Sequence, residues 1–230
     1  QNLLQAVDEG IKLHENCVVI EDDISVNSGP LTNLIEVLED DQVEDFFTAG
    51  LFSGIPKLRI LPNRNYWRRT PFFSAWGWGV RKRRWQEFRE AQMKYGLTTE
   101  SYEMDFWKKL SEERKNSWEY RLNRIRENPN FTWDFHVQHF TFQSGLFHLL
   151  PVYRAVENLG FEDERATNTK TKKPNWYMGS ATSNSILKTK IESNILSHLM
   201  LKIDSLTWFG DSSLIITFKK YRNKIGRAHV

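Results

Sequence analysis

Residues 17–23 read Cys17-Val18-Val19-Ile20-Glu21-Asp22-Asp23, an unbroken apolar run that ends in three carboxylates. A short continuous apolar run is the pattern of a buried parallel strand. Side chains of a flat strand alternate between faces, so three adjacent acids cannot converge within it. Where the backbone turns at the strand's end, at least two can. Towards the N-terminus, Leu3, Leu4, Val7 and Ile11 recur at helical spacing and predict an amphipathic helix over 2–13. Towards the C-terminus, Ser28-Gly29-Pro30 turns the chain into a second helix around Leu31–Leu38, and 45–51 reads as another buried strand. This β-α-β rhythm predicts an α/β domain, in which ligands gather at the carboxyl ends of strands.

Further along, 52–79 is rich in Gly and Pro and reads as loop. A helix follows over 80–95, with Gly96 as its stop, and a long charged helical segment runs from about 100 to 127 before Pro129. Thr132-Trp133-Asp134 supplies capping residues for a helix reaching about Phe142, and 146–150 reads as a strand before Pro151. Lys170–Pro174 is a polar linker, and 184–206 carries Ile186, Leu187, Ile191, Ile195 and Leu199 at helical spacing. The last residues, Ile225–Val230, resemble a translated sequencing adapter and are set aside.

Composition narrows the class. Of 230 residues, 40% are hydrophobic and 27% charged, which is globular rather than disordered. Nine Trp and fifteen Phe suit either a packed core or sugar-stacking walls, and composition does not choose between them. Glu15–Asp45 holds ten acidic residues and no Lys or Arg, whereas Arg59–Lys94 holds ten basic residues against two acidic ones. That asymmetry fits a site holding a cation and a polyanion together, and equally two solvated faces of opposite sign. The basic run contains no nucleic-acid-binding motif. Cys17 is the single cysteine, which excludes an internal disulfide or a cysteine metal cluster, and it reads as a small buried hydrophobe. No apolar stretch approaches the roughly 20 residues of a membrane span.

The acids carry the chemistry. Hard divalent cations such as Mg2+ and Mn2+ take oxygen ligands and leave room for substrate phosphate. A cation held at Glu21-Asp22-Asp23 would make a diphosphate a better leaving group. His136 and His139, three apart on one helix face, have a metal-compatible spacing but read first as packed histidines.

Three segments, in order, resemble GT-A glycosyltransferases: VVIEDDISVNSGPL at 18–31, SAWGWGVRKRRW at 74–85, and the block from Trp133-Asp134-Phe135 through Pro151 to ENLGFEDERATNT at 157–169. The resemblance covers roughly residues 3–169. It implies a Rossmann-like α/β GT-A sandwich over 1–169 lacking its first βαβ unit, followed by a mainly helical extension over 170–224. The implied activity is metal-dependent transfer of a sugar from a nucleotide-diphospho-sugar to a glycan or other hydroxyl acceptor, with Mn2+ or Mg2+ as cofactor. Asp23 would be the metal ligand, and Glu21 and Asp22 would contact the donor. Asp134 would be the catalytic base, although read locally it is a helix N-cap. Trp76, Gly77 and Trp78 would wall the sugar pocket, and Arg81 at the start of a basic helix would meet the diphosphate.

The implied setting is surface-glycan synthesis on the cytoplasmic side, with peripheral membrane contact left open and no nucleic acid involved. Asn168 stands between Thr167 and Thr169 where relatives often place a histidine, which puts full activity in doubt. A non-catalytic carbohydrate-binding relative and a metal-dependent nucleotidyltransferase are the alternatives.

Overall fold

A computed structural model describes residues 2–43, 46–54, 66–94, 96–102, 104–129 and 131–161, together with Leu201, Asp204, Ser205, Trp208 and Phe209. In chain order these form α1 (Asn2–Leu13), β1 (Asn16–Val19), β2 (Ile24–Val26), α2 (Ser28–Glu39), β3 (Thr48–Gly50), β4 (Trp67–Thr70), β5 (Trp78–Arg81), α3 (Lys82–Lys94), α4 (Asp105–Lys108), α5 (Glu112–Glu127), α6 (Asp134–Ser144), β6 (His148–Pro151) and β7 (Val156–Asn158). The fold is mixed α/β. Five strands make a mixed sheet in the order β1-β5-β3-β6-β4, and β2 pairs with β7 in a small second sheet. Asp45, Asn168, most of the 170–224 extension and the 225–230 tail lie outside the described residues.

The apolar run at 17–19 forms β1, but not as a parallel, buried strand. It is half-buried at the sheet edge and pairs antiparallel with β5, in the register Cys17↔Val80 and Val19↔Trp78. Because β3 is also antiparallel to β5, β1 and β3 run in the same direction with β5 between them. The β-α-β rhythm is present, but a third strand is inserted into it. That strand comes from the segment read as loop, since 52–79 contains β4 and the first residues of β5. Gly and Pro dominate the composition there and hide two short strands whose stability comes from their neighbours.

The sheet separates two apolar layers. On one side Leu34, Val37 and Leu38 of α2 pack against Ala49, Leu51, Trp67 and Leu149. On the other, Val7 and Ile11 of α1, Trp85 and Phe88 of α3, and Val137 and Phe140 of α6 enclose Phe47, Trp78 and Val80. Strand alternation explains Gly79. Trp78 and Val80 face the second layer, so residue 79 faces α2, where a Cβ would stand 2.5 Å from Leu38 Cδ1 and 3.2 Å from the Cys17 carbonyl. Its missing side chain therefore serves helix-to-sheet packing and not ligand approach.

The charged segment expected as one helix is two. After α4 the chain tightens through bonds from Lys109 N to Phe106 O and from Leu110 N to Trp107 O, and α5 starts afresh at Ser111. The break brings Trp107 and Leu110 into a third cluster with Tyr102, Trp118, Leu122 and Phe142. Leu201, Trp208 and Phe209 pack on this same cluster, so that part of the extension belongs to the core. Among the described residues no helix is long and apolar enough to cross a membrane.

One buried polar unit ties the layers together. His148 on β6 bonds Thr48 Oγ1 through Nδ1 at 2.7 Å and Thr141 Oγ1 through Nε2 at 2.8 Å. Thr141 donates its only hydroxyl proton to the Val137 carbonyl at 2.9 Å, so it accepts from His148. The network thereby assigns the Nε2–H tautomer, with Nδ1 accepting from Thr48. A neutral ring satisfies both threonines and a charged one does not, and burial pushes the imidazole down to about 3. Above the ordinary value of 6.5 both folded and unfolded chains leave the ring neutral. Below it only the unfolded chain takes the proton, so stability falls as pH drops from 6.5 towards 3. Denaturant titrations across pH 7 to 4 should show His148→Gln losing about 1.4 kcal/mol per pH unit less than the parent, the slope of one proton. Parallel pH profiles for the two proteins would overturn this assignment.

Candidate active site

The acids at 21–23 sit in a turn. Ile24 N bonds Glu21 O at 3.0 Å across it, and Leu159 N holds Asp23 O at 2.7 Å. The turn thus joins edge strand β1 to β2, which is fastened to β7 through Ile24↔Asn158. Turning the backbone here frees the carboxylates from strand alternation. Asp22 is exposed, and Glu21 and Asp23 are half-buried.

Asp134 comes to the same corner through the sheet. Val19 pairs with Trp78, and Trp78 stacks on Trp133 with centroids 5.6 Å apart and planes at 24°. Phe73 meets both indoles edge-on at 5.3 and 5.5 Å. Trp133 is thereby anchored to the β1–β5 pair, and Asp134 follows it as the first residue of α6. The local N-cap reading is corrected here, because Trp133 occupies the cap position, without a side-chain cap bond. Asp134 instead accepts the Thr132 hydroxyl on Oδ1 and lies at the positive end of the helix. Glu21 is pushed up to about 7, first by burial and then by the charges of Asp23, Asp134 and Asp22.

Beside Asp134 opens a cavity of about 240 Å³ whose lining includes Ser74, Trp76, Arg121, Phe135 and Trp208. The 74–76 wall is fixed from behind by Gln138, which accepts the Phe73 N–H at 2.8 Å and donates to the Pro71 carbonyl at 2.6 Å. Trp76 meets Phe52 and Phe161 edge-on. Gly77 has φ +69, and its carbonyl accepts from Leu51 N–H at 2.7 Å; a Cβ there would lie 3.2 Å from Val156 Cγ1 and 3.5 Å from Ile20 Cδ1. It makes the tight corner between the cavity wall and the acidic turn.

Two of the sequence-named residues are placed elsewhere. Trp78 is fully buried, so it supports the site from beneath and forms no pocket wall. Arg81 pairs in register with Asn16, at the far end of β1 from the acids, about 10 Å along the strand. Its guanidinium donates to the carbonyls of Leu38, Val37 and Asp40 and covers the Phe46 ring, so its charge serves the C-terminus of α2.

The carboxylates suit a hard cation in chemistry. Glu21, Asp22 and Asp23 have no ion-pair partner among the described residues, and their mutual repulsion is what a bound cation relieves. Among the described residues no three His, Cys, Asp or Glu side chains stand close enough to form a ready-made metal cage. His136 and His139 face a separate cavity with Gln92 and Gln143. His139 is bound to Tyr102 Oη at 2.6 Å, and burial lowers it to about 4.

Arg121, Trp208 and Asp204 are residues that sequence reasoning did not single out. Arg121 looks like one charge among many on α5, and the other two lie in the extension. Nothing local distinguishes them.

Glu21 offers a test of this geometry. A carboxyl raised above its ordinary 4.5 favours folding only while protonated, so its contribution is lost as pH rises through about 7. In chelator-containing buffer, Glu21→Gln should raise the denaturation midpoint at pH 8 and leave it unchanged near pH 4.5. An equal shift at both pH values would show that Glu21 does not feel the neighbouring acids.

A scan against protein-family models finds no match to this chain, and a search of curated proteins finds none either.

Proposed function

We propose that the protein is a metal-dependent glycosyltransferase of the GT-A type, moving a sugar from a nucleotide-diphospho-sugar to an acceptor hydroxyl. The observation that carries this reading is the meeting of two distant acidic elements. The turn at Glu21-Asp22-Asp23 and Asp134 at the head of α6 are tied together through Val19, Trp78 and Trp133, and Asp134 opens onto a cavity walled by Trp76 and Arg121. Transfer to a hydroxyl needs this pairing of tasks, one acid group for the diphosphate's cation and a separate carboxylate for the acceptor's proton.

In this reading Asp23 holds Mn2+ or Mg2+, which when bound neutralises charge on the departing diphosphate. Glu21 and Asp22 orient the donor. Asp134 takes the acceptor's hydroxyl proton as the acceptor oxygen attacks the anomeric carbon. The bond from that carbon to phosphate oxygen breaks, and the electron pair leaves with the nucleoside diphosphate. Attack from the side opposite the leaving group inverts the anomeric centre. Thr132 keeps the Asp134 carboxylate aimed, and the helix terminus stabilises its charge. Synthesis of a surface glycan at the cytoplasmic face of a membrane is the setting proposed for this activity.

The test separates the two acidic roles. Thermal melts with UDP-, GDP- and CDP-sugars should show a Mn2+-dependent stabilisation that Asp23→Ala abolishes. Asp134→Asn should keep that stabilisation while transfer slows by about 10^2- to 10^4-fold, the usual contribution of a general base. Wild-type transfer by Asp134→Asn, or cooperative melts unmoved by every donor, would sink the reading.

A further inference from the structure

Arg121 stands in an unusual place for a cation. It is half-buried on α5, with its guanidinium 4.8 Å over the ring of Trp208 and 5.4 Å over that of Phe135. One donor is used, by Nη1 to the Trp208 carbonyl at 3.2 Å. A guanidinium carries five N–H donors in a fixed planar fork. The aromatic rings cover its faces and leave donors at its edge, where it lines the cavity together with Asp134. Burial lowers its basicity, and the Asp134 charge works the other way, so the two groups sense one another across the cavity mouth.

The cavity's far wall comes from the C-terminal segment. Trp208 lies against Phe72 with centroids 5.6 Å apart and planes at 29°. Asp204 forms a buried two-point ion pair with Arg68, whose Nη2 also reaches Ser53 Oγ at 3.2 Å. This pair uses up the Asp204 charge, so among the described residues Arg121 and Asp134 are the charged side chains left lining the space, with Ser74 as a neutral polar neighbour. At about 240 Å³ the cavity is smaller than the roughly 300–1,000 Å³ that holds drug-sized ligands. It suits a single ring and not a nucleoside diphosphate.

From this we infer that the cavity between Trp76 and Arg121 is an acceptor subsite for one saccharide ring, with Arg121 as its hydrogen-bond donor and Asp134 as its acceptor. Adjacent ring hydroxyls present a donor and an acceptor side by side. One gives its proton to Asp134, and its neighbour's oxygen accepts from the Arg121 fork. Aliphatic alcohols lack the second contact, so the acceptor is a sugar and not a lipid or amino-acid hydroxyl. The inference deepens the transferase reading and rests on it for the word acceptor. It also makes Asp204 and Trp208 part of the substrate site.

Ligand-observed NMR on the full chain provides the test, using methyl glycosides of glucose, galactose and N-acetylglucosamine, with methanol and cyclohexanol as single-hydroxyl controls. At least one glycoside should bind where the controls do not. Arg121→Gln should weaken it by about tenfold or more, the scale of a charge-assisted hydrogen bond, and Arg121→Lys should lose less. Melting curves identify any variant that fails to fold, and Arg121→Lys retains both the stem and the charge. Equal glycoside binding by wild type and folded Arg121→Gln, or no glycoside binding at all, overturns the subsite. Donor melts with Mn2+ on the same proteins keep the two ideas apart. A donor shift without glycoside binding ends the subsite and spares the transferase. Arg121-dependent glycoside binding without a donor shift does the reverse. An Arg121→Gln defect confined to donor binding assigns Arg121 to the diphosphate and overturns the proposal.

Discussion

The stack of Trp78 on Trp133 is the contact from which the candidate site is built. One indole is the interior end of a strand pair, opposite Val19, and the other is the residue before Asp134. The stack therefore couples two positions that chain connectivity leaves far apart, the end of β1 and the start of α6. Aromatic pairs contribute about 0.5–1.5 kcal/mol beyond area burial, and here the geometry matters more than the energy. Sliding Trp133 by one helical residue, a rise of about 1.5 Å and a turn of about 100°, would aim Asp134 away from the acidic turn. Phe73 packing on both rings, and Gln138 pinning the Pro71–Phe73 segment, oppose such a slip.

This arrangement accounts for the aromatic richness that composition left undecided. Trp78, Trp85, Trp118, Phe47, Phe88 and Phe142 are fully buried and act as packing. Trp76 and Trp208 are half-buried and line the cavity. Gly77 and Gly79 divide in the same way. The first makes a positive-φ corner next to the acids, and the second makes room for Leu38. Two glycines in one four-residue motif thus have unrelated causes, one conformational and one steric.

What was legible in the sequence follows from how local each cause is. The helices 2–13, 28–39, 82–94 and 134–144 were visible because apolar spacing in the first, and turn, stop and capping residues in the others, are local properties. The orientation of β1 was not, since its partner β5 lies some sixty residues away in a stretch whose Gly and Pro content argues for loop. In the candidate site, Glu21, Asp22 and Asp23 stood out by residue type and position, whereas Asp134 read locally as a helix cap and was singled out only by the resemblance. Trp78 and Arg81 drew the same attention, but burial and register, which no motif encodes, set them to other work. Arg121 shows the opposite case. Only tertiary packing distinguishes it from Arg124 and Arg126 on the same helix.

Grouping several carboxylates at one corner raises the question of which of them yields its charge. Environment decides, as it does wherever two acids of one type take two roles. Glu21 has no donor of its own among the described residues, is half-buried at the strand's end, and faces three other acids; burial is the first cause of its rise to about 7. Asp134 has the Thr132 hydroxyl, the amide end of α6 and Arg121 across the cavity. The proton that Glu21 holds up to about pH 7 lies beside the place proposed for the cation. The carboxylate proposed to receive a proton is the one that accepts the Thr132 hydroxyl at the head of α6. The fold's choice of which acid begins α6 is thus also a choice of which carboxylate lines the cavity.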